Sequence, residues 1–378
     1  MIPFNKIHVT GEEINYINDA VKIGKISGDG PYTKLCETFF EKKYGFKKTL
    51  LTSSCTDALE LSALLINIQP GDEVIMPTYT FVSMANAFIL RGAKIIFADS
   101  NKNDPNVSVD EVESLVTKRT KAIVVVHYGG IGADIEALKD IADRHQIYLL
   151  EDAAHAIDSF YNGKPLGSFG HLATFSFHET KNITCGEGGL LVINDETLIA
   201  RAEVIREKGT NRSSFNRNEI AQYSWIDIGS SYLASDIAAA FLYAQLNKLD
   251  DIQKKRRKLW EQYYSGLKEL ADNNMVNLSH VPVNSAHNGH VFYLVCQSSI
   301  IRDEYINYMF LNNVSVQFHY ITLHDSPYYS STHGQRKLPI AKHYQECLVR
   351  LPLFYDLDES DADRIILLTY KFFFNLKL

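Results

Sequence analysis

The chain has 378 residues, 46% of them hydrophobic and 22% charged, with a formal net charge of -7. That length exceeds one compact core and suits one large and one smaller domain, while the negative charge and the absence of a basic run exclude a nucleic-acid footprint or attraction to anionic membrane. No stretch reaches membrane-spanning length, Met1-Ile-Pro-Phe-Asn lacks the features of a signal peptide, and five cysteines without a CxxC pair indicate neither a disulfide framework nor a zinc site, so the expectation is a reduced, cytoplasmic protein.

A polar helix over Gly11–Val21 leads into the turn-rich Gly24–Gly30. From there short apolar runs read as buried strands at Thr49–Leu51, Glu73–Met76, Lys94–Ala98, Ala122–Val126, Ile147–Leu150, Ala173–Phe177 and Leu190–Ile193. Helical patterns lie between them, at Asp57–Ile66, Asp110–Thr117, Asp134–His145 and Leu198–Glu207. Seven buried strands alternating with helices predict an α/β sheet, mostly parallel and covered on both faces. Near residue 235 the pattern changes to two long helices, Ser235–Leu249 and Asp251–Leu270. Strands at Val291–Val295 and Val314–Phe318 and helices at Asp303–Asn312 and Ile340–Arg350 follow. A boundary near residue 248 divides the chain into a large domain, 1–248, and a smaller α+β domain, 249–378.

Several residues carry chemistry at strand ends. Ile147-Tyr-Leu-Leu runs into Glu151-Asp152, and a carboxylate at the end of a buried strand stands where ligands bind in open α/β sheets. About thirty residues on, Ala173-Thr-Phe-Ser176-Phe-His-Glu-Thr-Lys181-Asn182 places a lysine after the next strand, before Gly186-Glu-Gly-Gly189. An acid and a lysine so placed suggest the carboxylate partner of a pyridine nitrogen and a lysine that forms an imine. The alternatives are a helix cap and a solvated surface charge. Leu51-Thr-Ser-Ser54-Cys55-Thr56 joins a strand to a helix start, whose amides suit a phosphate; a simple capping box of Asp57 and Glu60 is the alternative. Phe81, in the loop after the second strand, either stacks on a ring or is core. His319 and His324 lie five apart without carboxylate or cysteine partners, so no metal site is expected. The P-loop and dinucleotide glycine motifs are absent.

Thr-Ser-Ser-Cys-Thr-Asp-Ala-Leu, Gly-Asp-Glu-Val-Ile-Met-Pro-Thr-Tyr-Thr-Phe-Val, Glu-Asp-Ala-Ala-His, Phe-Ser-Phe-His-Glu-Thr-Lys-Asn and Ser-Tyr-Leu-Ala-Ser-Asp-Ile occur in this order. Together they resemble the DegT/DnrJ/EryC1/StrS nucleotide-sugar aminotransferases, over nearly the whole chain. The resemblance implies the fold type I architecture of pyridoxal-phosphate enzymes, with pyridoxal 5'-phosphate as cofactor and pyridoxamine phosphate as its amino-carrying form. It implies Lys181 and Asp152 as catalytic residues, with Cys55, Thr56, Phe81, His155, Ser176 and Ser231 completing the cofactor pocket. Cys55 replaces the usual glycine. Ser231 replaces the asparagine that commonly reaches the phosphate from a neighbouring subunit, which implies a homodimer with shared active sites. Tyr128, His319, Tyr320 and His324 are the implied substrate residues. Leu51-Thr-Ser-Ser-Cys55, Ile205-Arg-Glu-Lys-Gly-Thr-Asn-Arg-Ser213 and Asp227-Ile-Gly-Ser-Ser-Tyr-Leu233 are most similar to members whose reaction moves an amino group from L-glutamate to dTDP-4-keto-6-deoxy-D-glucose. The implied products are dTDP-4-amino-4,6-dideoxy-D-galactose and 2-oxoglutarate, feeding a surface polysaccharide such as enterobacterial common antigen. Alternatives are amination at carbon 3, the gluco product, or a regulator that binds cofactor or nucleotide sugar without turnover.

Overall fold

The computed structural model describes residues 1–333 and 336–375. The expected seven strands are present: β1 (Lys48–Thr52), β2 (Glu73–Pro77), β3 (Lys94–Ala98), β4 (Thr120–Val126) and β5 (Tyr148–Asp152) come first. After a short hairpin of β6 (Phe160–Tyr161) and β7 (Lys164–Pro165), β8 (Leu172–Ser176) and β9 (Gly189–Ile193) complete the set. They form one sheet in the order β1-β9-β8-β5-β4-β2-β3, in which only β9 runs against its neighbours. Leu50, Val74, Val124 and Leu150 face one buried cluster, while Leu51, Ile75, Val125 and Leu149 face the other. Burial on both faces is why these runs are continuously apolar, each large side chain contributing about 1.5–3 kcal/mol.

Beyond Lys248, the helix Leu249–Asp272 begins a second part. Its strands are β10 (Asn277–Leu278), β11 (Ser285–Ala286), β12 (Phe292–Val295) and β13 (Leu348–Leu351). β10, β12 and β13 make a small sheet, whereas β11 pairs back onto β6. Leu259, Trp260, Phe292, Tyr305, Val349 and Ile365 form its core, and Ile2 joins them. The first residues of the chain therefore pack with its C-terminal part: Ile2 bridges to Val314, donating its amide to Asn313 O at 2.8 Å. Two expectations need correction. The helix predicted over Ile340–Arg350 spans Pro339–Cys347, and Leu348–Leu351 is a strand because it completes the ladder of Phe292–Val295. The strand predicted at Val314–Phe318 has only single bridges, to Ile2 and Arg350. Helices Pro31–Tyr44, Val82–Ile89 and Glu359–Asn375 lay outside the prediction.

Candidate active site

The sheet brings the chemistry to one edge. β5 ends at Asp152 and β8 at Ser176, β1 leads into Ser53-Ser54, and the reversed β9 starts there at Gly189. Ser54 holds an extended conformation and caps the helix Cys55–Leu65, accepting the Asp57 amide at 3.0 Å. This replaces the Asp57–Glu60 capping box: serine stands one position before the helix, and Asp57 instead accepts the Ser53 hydroxyl. The amides of Cys55 and Thr56, in the first helical turn, have no partner among the described residues. A Cβ on Gly189 would lie 2.3 Å from the Ser54 carbonyl and 2.4 Å from the Cys55 nitrogen. Glycine is what lets β9 approach this turn.

Around the turn opens a cleft of about 1170 Å³, lined by Cys55, Thr56, Phe81, Asp152, His155, Ser176, Lys181, His319 and Tyr320. Asp152 is 8% exposed and accepts one amide, that of Ala154 at 3.1 Å; its other oxygen takes no hydrogen bond among the described residues. Burial pushes its carboxyl up, against the Ala154 amide and the nearby Lys181 charge. Burial pushes Lys181 down, with Cys55 and Asp152 opposing and Arg350 assisting, which favours a nucleophilic neutral amine. The Cys55 thiol is pushed far up by burial and stays protonated. His155 accepts the Gly129 amide on Nδ1 at 3.3 Å, so a neutral ring carries its proton on Nε2, toward the Tyr320 hydroxyl at 3.4 Å. Burial holds that ring well below its usual range. Ser176 Oγ accepts the His178 amide at 3.4 Å, and Phe81 leaves its ring 59% exposed at the mouth.

Asn182 fastens the lysine loop. Its Nδ2 donates to Gln253 Oε1 at 2.8 Å and to Asn288 O at 3.1 Å, so its Oδ1 accepts from His290 Nδ1 at 2.7 Å. The His290 ring packs against that of His155, tilted by 35° with 4.4 Å between centroids. The sequence reading missed His290, Arg256 and Arg350, all in the cleft wall. Arg256 donates to the carbonyls of Gly289, His290 and Leu353, and burial lowers it to about 9. A signal for Arg350 was available, as a lone cation within the apolar Leu348-Val-Arg-Leu-Pro-Leu.

Three expected residues are elsewhere. Tyr128 is 2% exposed and lies outside the cleft lining, its hydroxyl 2.6 Å from His319 Nδ1, so that it supports a ring that does line the cleft. His324 is buried against Thr78 Oγ1 at 2.8 Å, outside the cleft lining, because the turn at Leu323–Asp325 directs it into the body of the protein. Ser231 is exposed and bridges Glu207, away from this chain's own cleft. Among the described residues no group of three or more metal-ligating side chains occurs.

The donor set fits pyridoxal phosphate. Two free amides at a helix start suit its phosphate, the open Asp152 oxygen its ring nitrogen, His155 Nε2 its ring oxygen and Lys181 its aldehyde. Fold and site together define a pyridoxal-phosphate-dependent aminotransferase. The sequence profile of the DegT/DnrJ/EryC1/StrS aminotransferase family matches residues 8–368, and the chain belongs to that family. It is similar to the spore coat polysaccharide biosynthesis protein SpsC of Bacillus subtilis, 33% identical over 97% of this chain and 95% of that one. Among solved structures, the aminotransferase TlmJ from Streptoalloteichus hindustanus superposes with a TM-score of 0.91 at 28% identity, over 100% of both chains. The PLP form of the putative sugar aminotransferase Spr1654 from Streptococcus pneumoniae gives 0.89 at 25% identity, over 98% of this chain and 99% of that one. The chain is an enzyme, a PLP-dependent sugar aminotransferase.

Proposed function

We propose that this enzyme transfers the amino group of L-glutamate to dTDP-4-keto-6-deoxy-D-glucose. The products are dTDP-4-amino-4,6-dideoxy-D-galactose and 2-oxoglutarate, as in the dTDP-4-amino-4,6-dideoxygalactose transaminase of enterobacterial common antigen. The observation that carries the amino-transfer reading is the pairing, in one cleft, of a buried Asp152 with an open oxygen and a Lys181 whose amine is driven toward neutrality. Bound pyridoxal phosphate supplies an aldehyde for amines and a ring that accepts electrons from an adjacent carbanion. Asp152 keeps a proton on the ring nitrogen by its negative charge. Lys181 Nζ would take the proton from the amino acid Cα and, in the reverse half, return a proton to carbon 4 of the sugar. His155 Nε2–H steadies the ring oxygen, and Cys55, Thr56 and Ser176 hold the phosphate. Phe81 covers one face of the ring, while His319 and Tyr320 face the sugar.

The sugar substrate and the polysaccharide destination draw on the sequence motifs and on the name of SpsC. A homodimer completing each site, with Ser231 reaching the partner's phosphate, draws on the exposure of Ser231 and of Trp225 nearby, at 81%. The domain division at residue 248 and a cytoplasmic location belong to the same proposal; no helix among the described residues is long and apolar enough to cross a membrane. Incubation with L-glutamate and dTDP-4-keto-6-deoxy-D-glucose, followed by chromatography and mass spectrometry, tests it. An aminated dTDP-sugar with matching 2-oxoglutarate is expected; no aminated sugar refutes the substrate assignment.

A further inference from the structure

Asn288-Gly289-His290, the segment that leads into β12, touches two cofactor-facing residues of the large sheet at once. The loop before Lys181 faces solvent, with Glu179 and Thr180 exposed, and the buried Asn182 is its anchor. All three hydrogen-bond partners of the Asn182 side chain lie beyond residue 250: Gln253 Oε1, Asn288 O and His290 Nδ1. Gln253 is itself oriented, because its Nε2 donates to Ile157 O at 2.9 Å. Both Nδ2 protons of Asn182 are therefore spent, and its Oδ1 accepts from a His290 ring that carries a proton on Nδ1. Burial holds that ring well below its usual range, with His155 and Lys181 adding to the effect, so it is neutral and this is its one ring N–H. The same segment holds His155. Asn288 Nδ2 donates to the carbonyls of His155 at 2.7 Å and Ile157 at 2.8 Å, while the His290 ring covers that of His155. Gly289 makes the turn possible: its φ is +62°, and a Cβ there would lie 2.9 Å from the Arg256 carbonyl carbon.

We propose that His290 is a positioning residue for the cofactor, fixing Lys181 and His155 relative to one another through one proton and one ring face. The proton holds Asn182, and with it the amine that meets the cofactor's aldehyde. The ring face holds the imidazole that meets the cofactor's ring oxygen. Aldehyde and ring oxygen stand on adjacent carbons of pyridoxal phosphate, so a shift of about 1 Å between the two residues cannot be absorbed by moving the cofactor. The inference rests on the cofactor fit and on no choice of sugar.

The test is titration of apoprotein with pyridoxal phosphate and with pyridoxamine phosphate, which keeps the ring oxygen and the phosphate but has no aldehyde for Lys181. His290→Phe keeps a ring face and removes the proton; His290→Gln keeps a proton donor and removes the ring. In His290→Phe the ratio of the two dissociation constants should move roughly tenfold against pyridoxal phosphate, with pyridoxamine phosphate changed by less than about threefold. In His290→Gln the ratio should stay within about twofold of wild type while both ligands weaken by about threefold. A merely structural role would weaken both ligands equally in both variants. Should His290→Phe not fold, Asn182→Ala decides, and the same change of ratio is expected. An unchanged ratio in folded His290→Phe or Asn182→Ala overturns the inference. So does His290→Gln if it shifts the ratio as His290→Phe does, or binds both ligands as wild type does. Wild type that binds neither ligand removes the cofactor assignment itself, whereas tight binding of both with a ratio indifferent to residue 290 removes the positioning role alone.

Discussion

Replacing Gly189 by alanine is expected to strip the cofactor site of its preference for a phosphate. The added Cβ would lie 2.3 Å from the carbonyl carbon and oxygen of Ser54 and 2.4 Å from the Cys55 nitrogen. Comfortable contact lies near 3.5 Å, so turn and strand must part by about 1 Å. All three crowded atoms are backbone, which has no rotamer to yield. Gly189 is not in a left-handed conformation, so crowding is the sole reason alanine is refused. Such overpacking costs about 1–3 kcal/mol in stability. It also displaces the free amides of Cys55 and Thr56, and one charge-assisted hydrogen bond is worth about 1.5–3 kcal/mol, or roughly 10–150-fold in affinity. The assay compares dissociation constants of apoprotein for pyridoxal phosphate and for pyridoxal, which lacks the phosphate. The ratio between them should shrink by about tenfold or more in Gly189→Ala, with pyridoxal binding changed by less than about threefold. An unchanged ratio in a folded variant would mean that the phosphate is not held at this turn.

Lys181→Ala is expected to abolish both the visible absorbance of the loaded protein and turnover; a variant with wild-type turnover would remove Lys181 from the mechanism. Asp152 links activity to stability with opposite signs. Its carboxyl is raised in the folded, ligand-free cleft, so its stabilising effect belongs to low pH and is lost as pH rises through the folded value. Asp152→Asn should therefore raise the apoprotein melting temperature by about 1–2 °C at neutral pH, and not near pH 3.5, while turnover falls by about 10²-fold or more. Lower melting at neutral pH would contradict the assigned strain. Arg256→Met leaves the carbonyls of Gly289, His290 and Leu353 without their donor. A loss of about 3–5 kcal/mol is expected, seen as a fall of about 4–6 °C in melting temperature. A change of less than about 1 °C would show that water replaces the guanidinium at no cost.

The central sheet was legible because strands covered on both faces are apolar without interruption, and seven such runs stand out between helices. Asp152 and Lys181 stood out in the sequence because each lies within a few residues of the end of one of those runs. The small domain was less so. Leu348–Leu351 is an apolar stretch next to a helix, and four residues cannot distinguish 3.6-residue from two-residue periodicity. Reading it as helix hid Arg350, whose direction into the cleft depends on its pairing with Tyr293 and Gln317. Phe4 beneath Arg350 and Ile2 in the C-terminal core are contacts across more than 300 residues, which no local pattern encodes. Tyr128 and His324 stand in the right loops but on the inner side. Which side of a loop meets the cleft is decided by packing, here against His319 and Thr78.

The most direct measurement is NMR of the sugar product made with ¹⁵N-labelled L-glutamate and dTDP-4-keto-6-deoxy-D-glucose, by wild type and by Lys181→Ala. The label should appear on carbon 4 in the galacto configuration with wild type and on no sugar with the variant. Label on carbon 3, a gluco product, or unlabelled sugar from wild type would contradict the account.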